Sequence, residues 1–182
     1  MDHTEAIVEI KNIIHPEFIE RMIPLMHDRC NKPLRVGTNK VSKDIRNVNG
    51  YELDMGTPTN LFYWNYVKKE IERLHIFYKG KFPKNLSKKL EQIDLLKYSV
   101  GGKYEVHTDH DVTVPRTLSV IMNLNNDYEG GDLVFTDQKE NDIKRLKLEK
   151  GSIVFFPSNF LYPHKIDPIT KGTRYSIVAW LQ

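Results

Sequence analysis

The sequence predicts an α+β, mainly β fold: a β-sandwich or jelly roll in the second half of the chain, backed by two helices from the first half. Three observations predict it. Apolar residues recur twice at helical spacing before residue 81. From Gln92 onward the pattern changes to short β-rich runs. Glycine and asparagine clusters punctuate those runs. Short strands that follow two helices bury their faces most simply as two packed sheets with helices against one of them.

The first helix is expected over Pro16 to Cys30, where Phe18, Ile19, Met22, Leu25 and Met26 share a face and Pro16 occupies the first turn. Pro24 is expected to kink it or end it early. The second helix starts from a Thr57-Pro58 cap and carries one apolar stripe of Leu61, Trp64, Val67, Ile71, Leu74 and Tyr78, ending near Gly80. The segment from Arg35 to Gly50 is polar and asparagine-rich, and reads as a long loop or irregular hairpin.

Strands are expected at Ile93–Tyr98, Leu118–Leu124, Leu133–Phe135, Ile143–Leu148, Ile153–Phe156 and Tyr175–Trp180. Turns fall at Gly101-Gly102, Asn125-Asn126-Asp127, Gly130-Gly131 and Lys150-Gly151. The expected organisation is a single domain over 1–182, with residues 1–90 as helical support and loop and 91–182 as the β core.

The 182 residues are 40% apolar and include nine tyrosines and eight phenylalanines, enough for a substantial core and too aromatic for disorder. A net charge of +3 argues against a nucleic-acid partner, which calls for a more basic domain. The single cysteine, Cys30, excludes an internal disulfide and reads as a small buried apolar residue. The N-terminus lacks a signal-peptide layout and no apolar run approaches the roughly 20 residues of a membrane span, so a cytoplasmic chain without a membrane partner is expected.

The chemistry concentrates at His107-Thr108-Asp109-His110-Asp111. On a strand, a spacing of two puts His107 and Asp109 on one face. His164 follows the apolar run Ile153–Phe156, and Arg174 opens the last strand. Two imidazoles and one carboxylate form the donor set of a facial triad, which leaves open positions on iron. An arginine nearby offers a planar fork to a carboxylate. Together these call for a cosubstrate with one chelating end and one carboxylate end, the layout of 2-oxoglutarate. His110 and Asp111 could in principle replace His107 and Asp109, but they are out of phase with Tyr98 and Gly101. Ordinary surface or core roles suffice for His3, His15, His27 and His75.

The arrangement Tyr98-x-x-Gly101-x-x-Tyr104-x-x-His107-x-Asp109, then Asn123-Leu124-Asn125, Glu129-Gly130-Gly131-Asp132-Leu133, Lys150-Gly151-Ser152-Ile153-Val154-Phe155-Phe156, His164 and Gly172-Thr173-Arg174-Tyr175 onward resembles the prolyl 4-hydroxylase family of iron(II)- and 2-oxoglutarate-dependent dioxygenases. Upstream, Ser42-Lys43-Asp44-Ile45-Arg46 is similar to the substrate-covering loop of the oxygen-sensing prolyl hydroxylases. The resemblance implies a double-stranded β-helix with His107, Asp109 and His164 on Fe(2+), and with Arg174 and Tyr98 on 2-oxoglutarate. It also implies Trp180 as a wall of the site, and Asp44 and Arg46 as anchors of a substrate loop. Asn123 stands where several relatives have a tyrosine. The implied reaction consumes O2 and 2-oxoglutarate, with L-ascorbate as reductant, and hydroxylates a prolyl residue of a peptide or protein. The alternatives are the same chemistry on another side chain, a free amino acid or a small molecule, and a non-enzymatic sandwich that binds metal or ligand.

Overall fold

The structure is a computed structural model that describes residues 2–35, 41–110, 113 and 115–182. In chain order its elements are β1 (Val8–Ile10), α1 (Pro16–Arg29), β2 (Lys32–Pro33), β3 (Arg46–Asn47), β4 (Asn49–Glu52), α2 (Pro58–Lys81) and β5 (Leu90–Tyr98). There follow β6 (Lys103–His107), β7 (Leu118–Asn123), β8 (Glu129–Gly130), β9 (Leu133–Thr136) and β10 (Asp142–Leu146). The last four are β11 (Ile153–Pro157), β12 (His164–Ile166), β13 (Ile169–Lys171) and β14 (Arg174–Leu181). No helix among the described residues is long and apolar enough to cross a membrane.

The strands form a major sheet in the order β1-β11-β7-β14-β5-β4-β2 and a minor sheet in the order β10-β9-β12-β6-β3. A two-stranded ribbon, β13-β8, lies beside them. The expected jelly roll with two supporting helices is present. Helices α1 and α2 cover one face of the major sheet, where Met22, Met26, Val67, Ile71, Ile177 and Phe155 share a core. The other face turns toward the minor sheet, and Leu96, Tyr98, Ile121, Phe135, Val178 and Trp180 fill the space between. Strand β14 is buried along its whole length because it has a core on both sides.

Local chemistry accounts for the helices and for two departures from expectation. The imidazole of His15 accepts from the Glu17 N–H at 3.3 Å and Thr57 Oγ1 from the Asn60 N–H at 3.2 Å, each ahead of a proline at the first turn. Pro24 does not end α1, which continues to Arg29. It sits on the exposed side, where solvent can satisfy the carbonyl its missing N–H leaves free. The apolar stripe of α2 is fully buried only from Val67: Leu61 is exposed, and Trp64 packs half-buried against the core with the Lys68 ammonium over its ring.

The first half of the chain also supplies strands that its sequence pattern does not announce. The segment from Arg35 to Gly50, of which residues 36–40 lie outside the described residues, contains β3 and the start of β4. Strand β3 pairs with β6 in the minor sheet and β4 with β5 in the major one, so this short stretch crosses between the sheets at the edge of their interior.

The β8–β13 ribbon sets the approach to β14. Gly130 lies opposite Ile169 with φ +76°, and a Cβ there would fall 2.2 Å from the Pro168 carbonyl oxygen. Both the left-handed backbone and the close approach require glycine. Gly130→Ala is therefore expected to destabilise the fold by about 2–3 kcal/mol in urea unfolding. An unchanged midpoint would mean that the ribbon is not tightly packed.

Candidate functional site

His107 ends β6, Asp109 follows it, and His164 opens β12 directly opposite His107 in the antiparallel register. The pairing converts distant sequence positions into neighbours. The two imidazole centroids lie 4.3 Å apart. Asp109 Oδ1 is 3.5 Å from His107 Nε2, and Asp109 Oδ2 is 3.7 Å from His164 Nε2. One ligand atom from each of the three residues fits within 4.8 Å of the others, so the group could hold a metal ion.

The orientation of both histidines is set from behind. His107 Nδ1 lies 2.8 Å from the Glu105 carbonyl oxygen and His164 Nδ1 lies 3.1 Å from that of Tyr162. A carbonyl only accepts, so each Nδ1 carries a proton, and in the neutral ring the lone pair is left on Nε2, the form a cation needs. Burial, helped by the neighbouring His107, pushes the His164 pKa down to about 4 and keeps that ring neutral. For Asp109, burial works toward protonation. The positive charge that His164 and His107 carry when protonated, as they are at the low pH where this carboxyl titrates, and a hydrogen bond from Ser119, 2.6 Å from Asp109 Oδ2, outweigh it and hold the carboxyl well below the usual range. Two imidazoles and one carboxylate match the donor set of iron(II) in a facial triad.

Arg174 approaches the same cavity from the major sheet. It is 1% exposed, opposite Tyr98 in the β14–β5 register, with its guanidinium 5.3 Å from the centroid of the Tyr98 ring. Its Nε donates to Asn123 Oδ1 at 3.2 Å, while its buried Nη2 has no hydrogen-bond partner among the described residues. The buried Ser176 Oγ and Trp180 Nε1 are likewise without one. A buried charge with an unused donor is costly unless a ligand completes it. The triad, Tyr98, Arg174, Ser176 and Trp180 all line this cavity. Burial raises the Tyr98 pKa, so its phenol remains a proton donor.

The other candidates are placed as follows. Arg46 lines the cavity, its Nη1 donating to the Arg35 carbonyl at 2.9 Å and its guanidinium lying over the Tyr104 ring at 4.7 Å. Asp44 is exposed in the turn ahead of β3. His110 does not line the cavity; its Nδ1 bonds to the Arg116 carbonyl at 2.8 Å. Asp111 lies outside the described residues. Arg116 stacks on Trp180 at 3.6 Å from the ring centroid. Asn123 is fully buried and holds the arginine: its Nδ2 donates to the carbonyls of Asn125 and Leu148, which aims Oδ1 at Arg174. Sequence reasoning missed Ser119 and Ser176. Ser176 had a signal, since a spacing of two from Arg174 on one strand shares its face.

The geometry predicts that the protein binds a divalent first-row cation such as Mn2+ through these side chains. His164→Ala should lower that affinity by more than about a hundredfold, beyond what loss of an outer supporting group costs. His110→Ala should leave it near the parent value. Equal binding by parent and His164→Ala in a calorimetric titration would remove the triad from consideration.

Residues 93–182 match the family model of the 2OG-Fe(II) oxygenase superfamily. Among curated proteins, the chain is similar to a PKHD-type hydroxylase of Gloeothece citriformis, 32% identical over 101 residues that cover 52% of this chain and 44% of the relative. The chain thus spans about half the length of the curated relatives it matches. Among solved structures, it resembles a prolyl hydroxylase of Trichoplax adhaerens, solved in complex with a peptide fragment of the hypoxia inducible factor oxygen degradation domain. The TM-score is 0.82 at 18% identity, covering 98% of this chain and 84% of the other. A prolyl-4-hydroxylase of Pseudomonas putida gives a TM-score of 0.77 at 18% identity, covering 97% and 92%. Residues 93–182 thus carry the pattern of the 2OG-Fe(II) oxygenase superfamily, and the chain's jelly roll is built like those of the prolyl hydroxylases.

Proposed function

We propose that this chain is an iron(II)- and 2-oxoglutarate-dependent dioxygenase that hydroxylates a prolyl residue in a peptide or protein. The observation that carries the reading is the convergence of an ionised Asp109, two imidazole lone pairs and an Arg174 guanidinium with a free donor on one cavity. The donor set fits iron(II), and the unsatisfied arginine fits the distal carboxylate of 2-oxoglutarate. Once bound, iron(II), 2-oxoglutarate and O2 supply hydroxylation of an unactivated C–H bond, coupled to decarboxylation of the 2-oxo acid to succinate and CO2.

The chain's own residues bind, orient and exclude water. His107, Asp109 and His164 hold the iron. Arg174 takes the distal carboxylate through Nη2, with Ser176 Oγ beside it on the same face of β14 and Tyr98 as a further hydrogen-bond donor. Leu96, Ile121, Ile166 and Val178 give the cavity apolar walls. Trp180, backed by Arg116, closes it on the major-sheet side. Residues 91–182 carry the chemistry, and residues 1–90 add support and the substrate loop, within one domain.

A polypeptide substrate is favoured by the segment that leads into β3. It places Arg46 at the cavity while Val41, Asp44 and Ile45 face solvent, which suits a lid that closes on an extended chain. The Trichoplax neighbour was solved with a peptide, and the curated relatives are named PKHD-type hydroxylases.

Two measurements test the reading. Arg174→Lys keeps the charge and loses the fork, so the apparent affinity for 2-oxoglutarate should fall by about 1.5–3 kcal/mol, or roughly ten- to a hundredfold. An unchanged Michaelis constant would make Arg174 structural. The second measurement is mass-spectrometric turnover of proline-containing peptides with iron(II), 2-oxoglutarate and L-ascorbate, beside succinate formation without peptide. The parent should hydroxylate proline. Alanine at both Asp44 and Arg46 should cut peptide hydroxylation at least about tenfold while peptide-independent succinate formation survives. Equal losses in both would assign the loop to the fold, and succinate without any hydroxylated peptide would point to a different substrate class.

A further inference from the structure

The two histidines are oriented by carbonyls near them in sequence, but Asp109 is held from the opposite sheet. Ser119 on β7 donates its hydroxyl to Asp109 Oδ2 at 2.6 Å, and Ser119 Oγ lies 2.8 Å from Ser158 Oγ. Both serines are fully buried. An ionised carboxylate can only accept, so the Ser119 proton goes to Asp109. Ser119 must then receive from Ser158, which gives a one-way chain of hydroxyls from Ser158 through Ser119 to Asp109.

The end of this chain is itself fixed. The Ser158 N–H donates to the Thr117 carbonyl at 3.2 Å, and the Ser158 carbonyl accepts from the His110 N–H at 3.0 Å. The residue after Asp109 is thus fastened to the serine that supports the Asp109 side chain. With one lone pair of Oδ2 engaged by Ser119, Oδ1 is the freer oxygen, 3.5 Å from His107 Nε2, while Oδ2 lies 3.7 Å from His164 Nε2.

We propose that Ser119, backed by Ser158, is a positioning residue that makes Asp109 a one-oxygen metal ligand, presenting Oδ1 and withholding Oδ2. Without it the carboxylate is free to turn and to offer both oxygens. That rotation would occupy one of the open positions that the 2-oxo acid and O2 require, and the carboxylate would have to be ordered anew each time metal binds. The inference rests on the reading of His107, Asp109 and His164 as a metal site.

The test is titration of the metal-free protein with cobalt(II), following the visible absorption, in the parent, Ser119→Ala, Ser119→Thr, Ser158→Ala and His107→Ala. Ser119→Ala should bind cobalt about ten- to a hundredfold more weakly, the range for loss of an outer supporting group, with shifted bands. Ser119→Thr restores the hydroxyl and should restore both affinity and spectrum. Ser158→Ala reaches Asp109 only through Ser119, so it should move both in the same direction by less. A purely structural serine would lower the melting temperature of the metal-free protein and leave the cobalt bands where they are. Parental affinity and bands in Ser119→Ala would overturn the proposal. Should that variant not fold, parental affinity and bands in Ser158→Ala would do so. Parental cobalt binding by His107→Ala would instead overturn the metal site itself.

Discussion

The antiparallel register of β12 against β6 is the constraint on which the rest of the site depends. It sets His164 directly opposite His107, at a point where β12 also pairs with β9 and cannot slide without breaking both ladders. Strand side chains alternate, so a slip of one residue would turn His164 out of the interior and leave Lys165 in its place. Asp109 reaches the pair because it lies two positions beyond His107 on the same side, with its second oxygen caught by Ser119 of the facing sheet. Sheet pairing therefore places the metal-competent atoms, and hydrogen bonds from outside the pair choose which of them point inward.

The second dependence is electrostatic. An arginine that is 1% exposed carries no ion pair among the described residues and keeps a buried donor unused. Burying such a group is unfavourable, and the fold offsets it with the Asn123 acceptor, the Tyr98 ring and two apolar cores on either side of the major sheet. The unfavourable part is what a carboxylate ligand would relieve. Asn123 supplies the orientation: three of its polar contacts are spent on backbone carbonyls and on Arg174, so it holds the arginine in place. That is an orienting role.

Much of this was legible in the sequence, and the exceptions have physical causes. The apolar strands Ile93–Tyr98, Leu118–Leu124, Ile153–Phe156 and Tyr175–Trp180 were readable because strands buried on both faces are written as nearly continuous apolar runs. Strands β6 and β12 were not, since one is polar and partly exposed and the other only three residues long. The short strands β2, β3 and β4 were hidden for the same reason: two to four residues at or beside a sheet edge carry no periodicity. The spacing of His107 and Asp109 could be read directly. The supporting Ser119 could not, because a buried serine looks in sequence like any small strand residue, and only the packing of the two sheets brings it to Asp109.

The central claim is that one cavity holds a metal on His107, Asp109 and His164 and a dicarboxylate on Arg174. The most direct measurement is a crystal structure with Mn2+ and an unreactive 2-oxoglutarate analogue. The account predicts metal density between His107 Nε2, Asp109 Oδ1 and His164 Nε2, with the analogue chelating the metal at one end and its distal carboxylate on Arg174 Nη2. Metal bound elsewhere, or a carboxylate that leaves Arg174 unpaired, would contradict it.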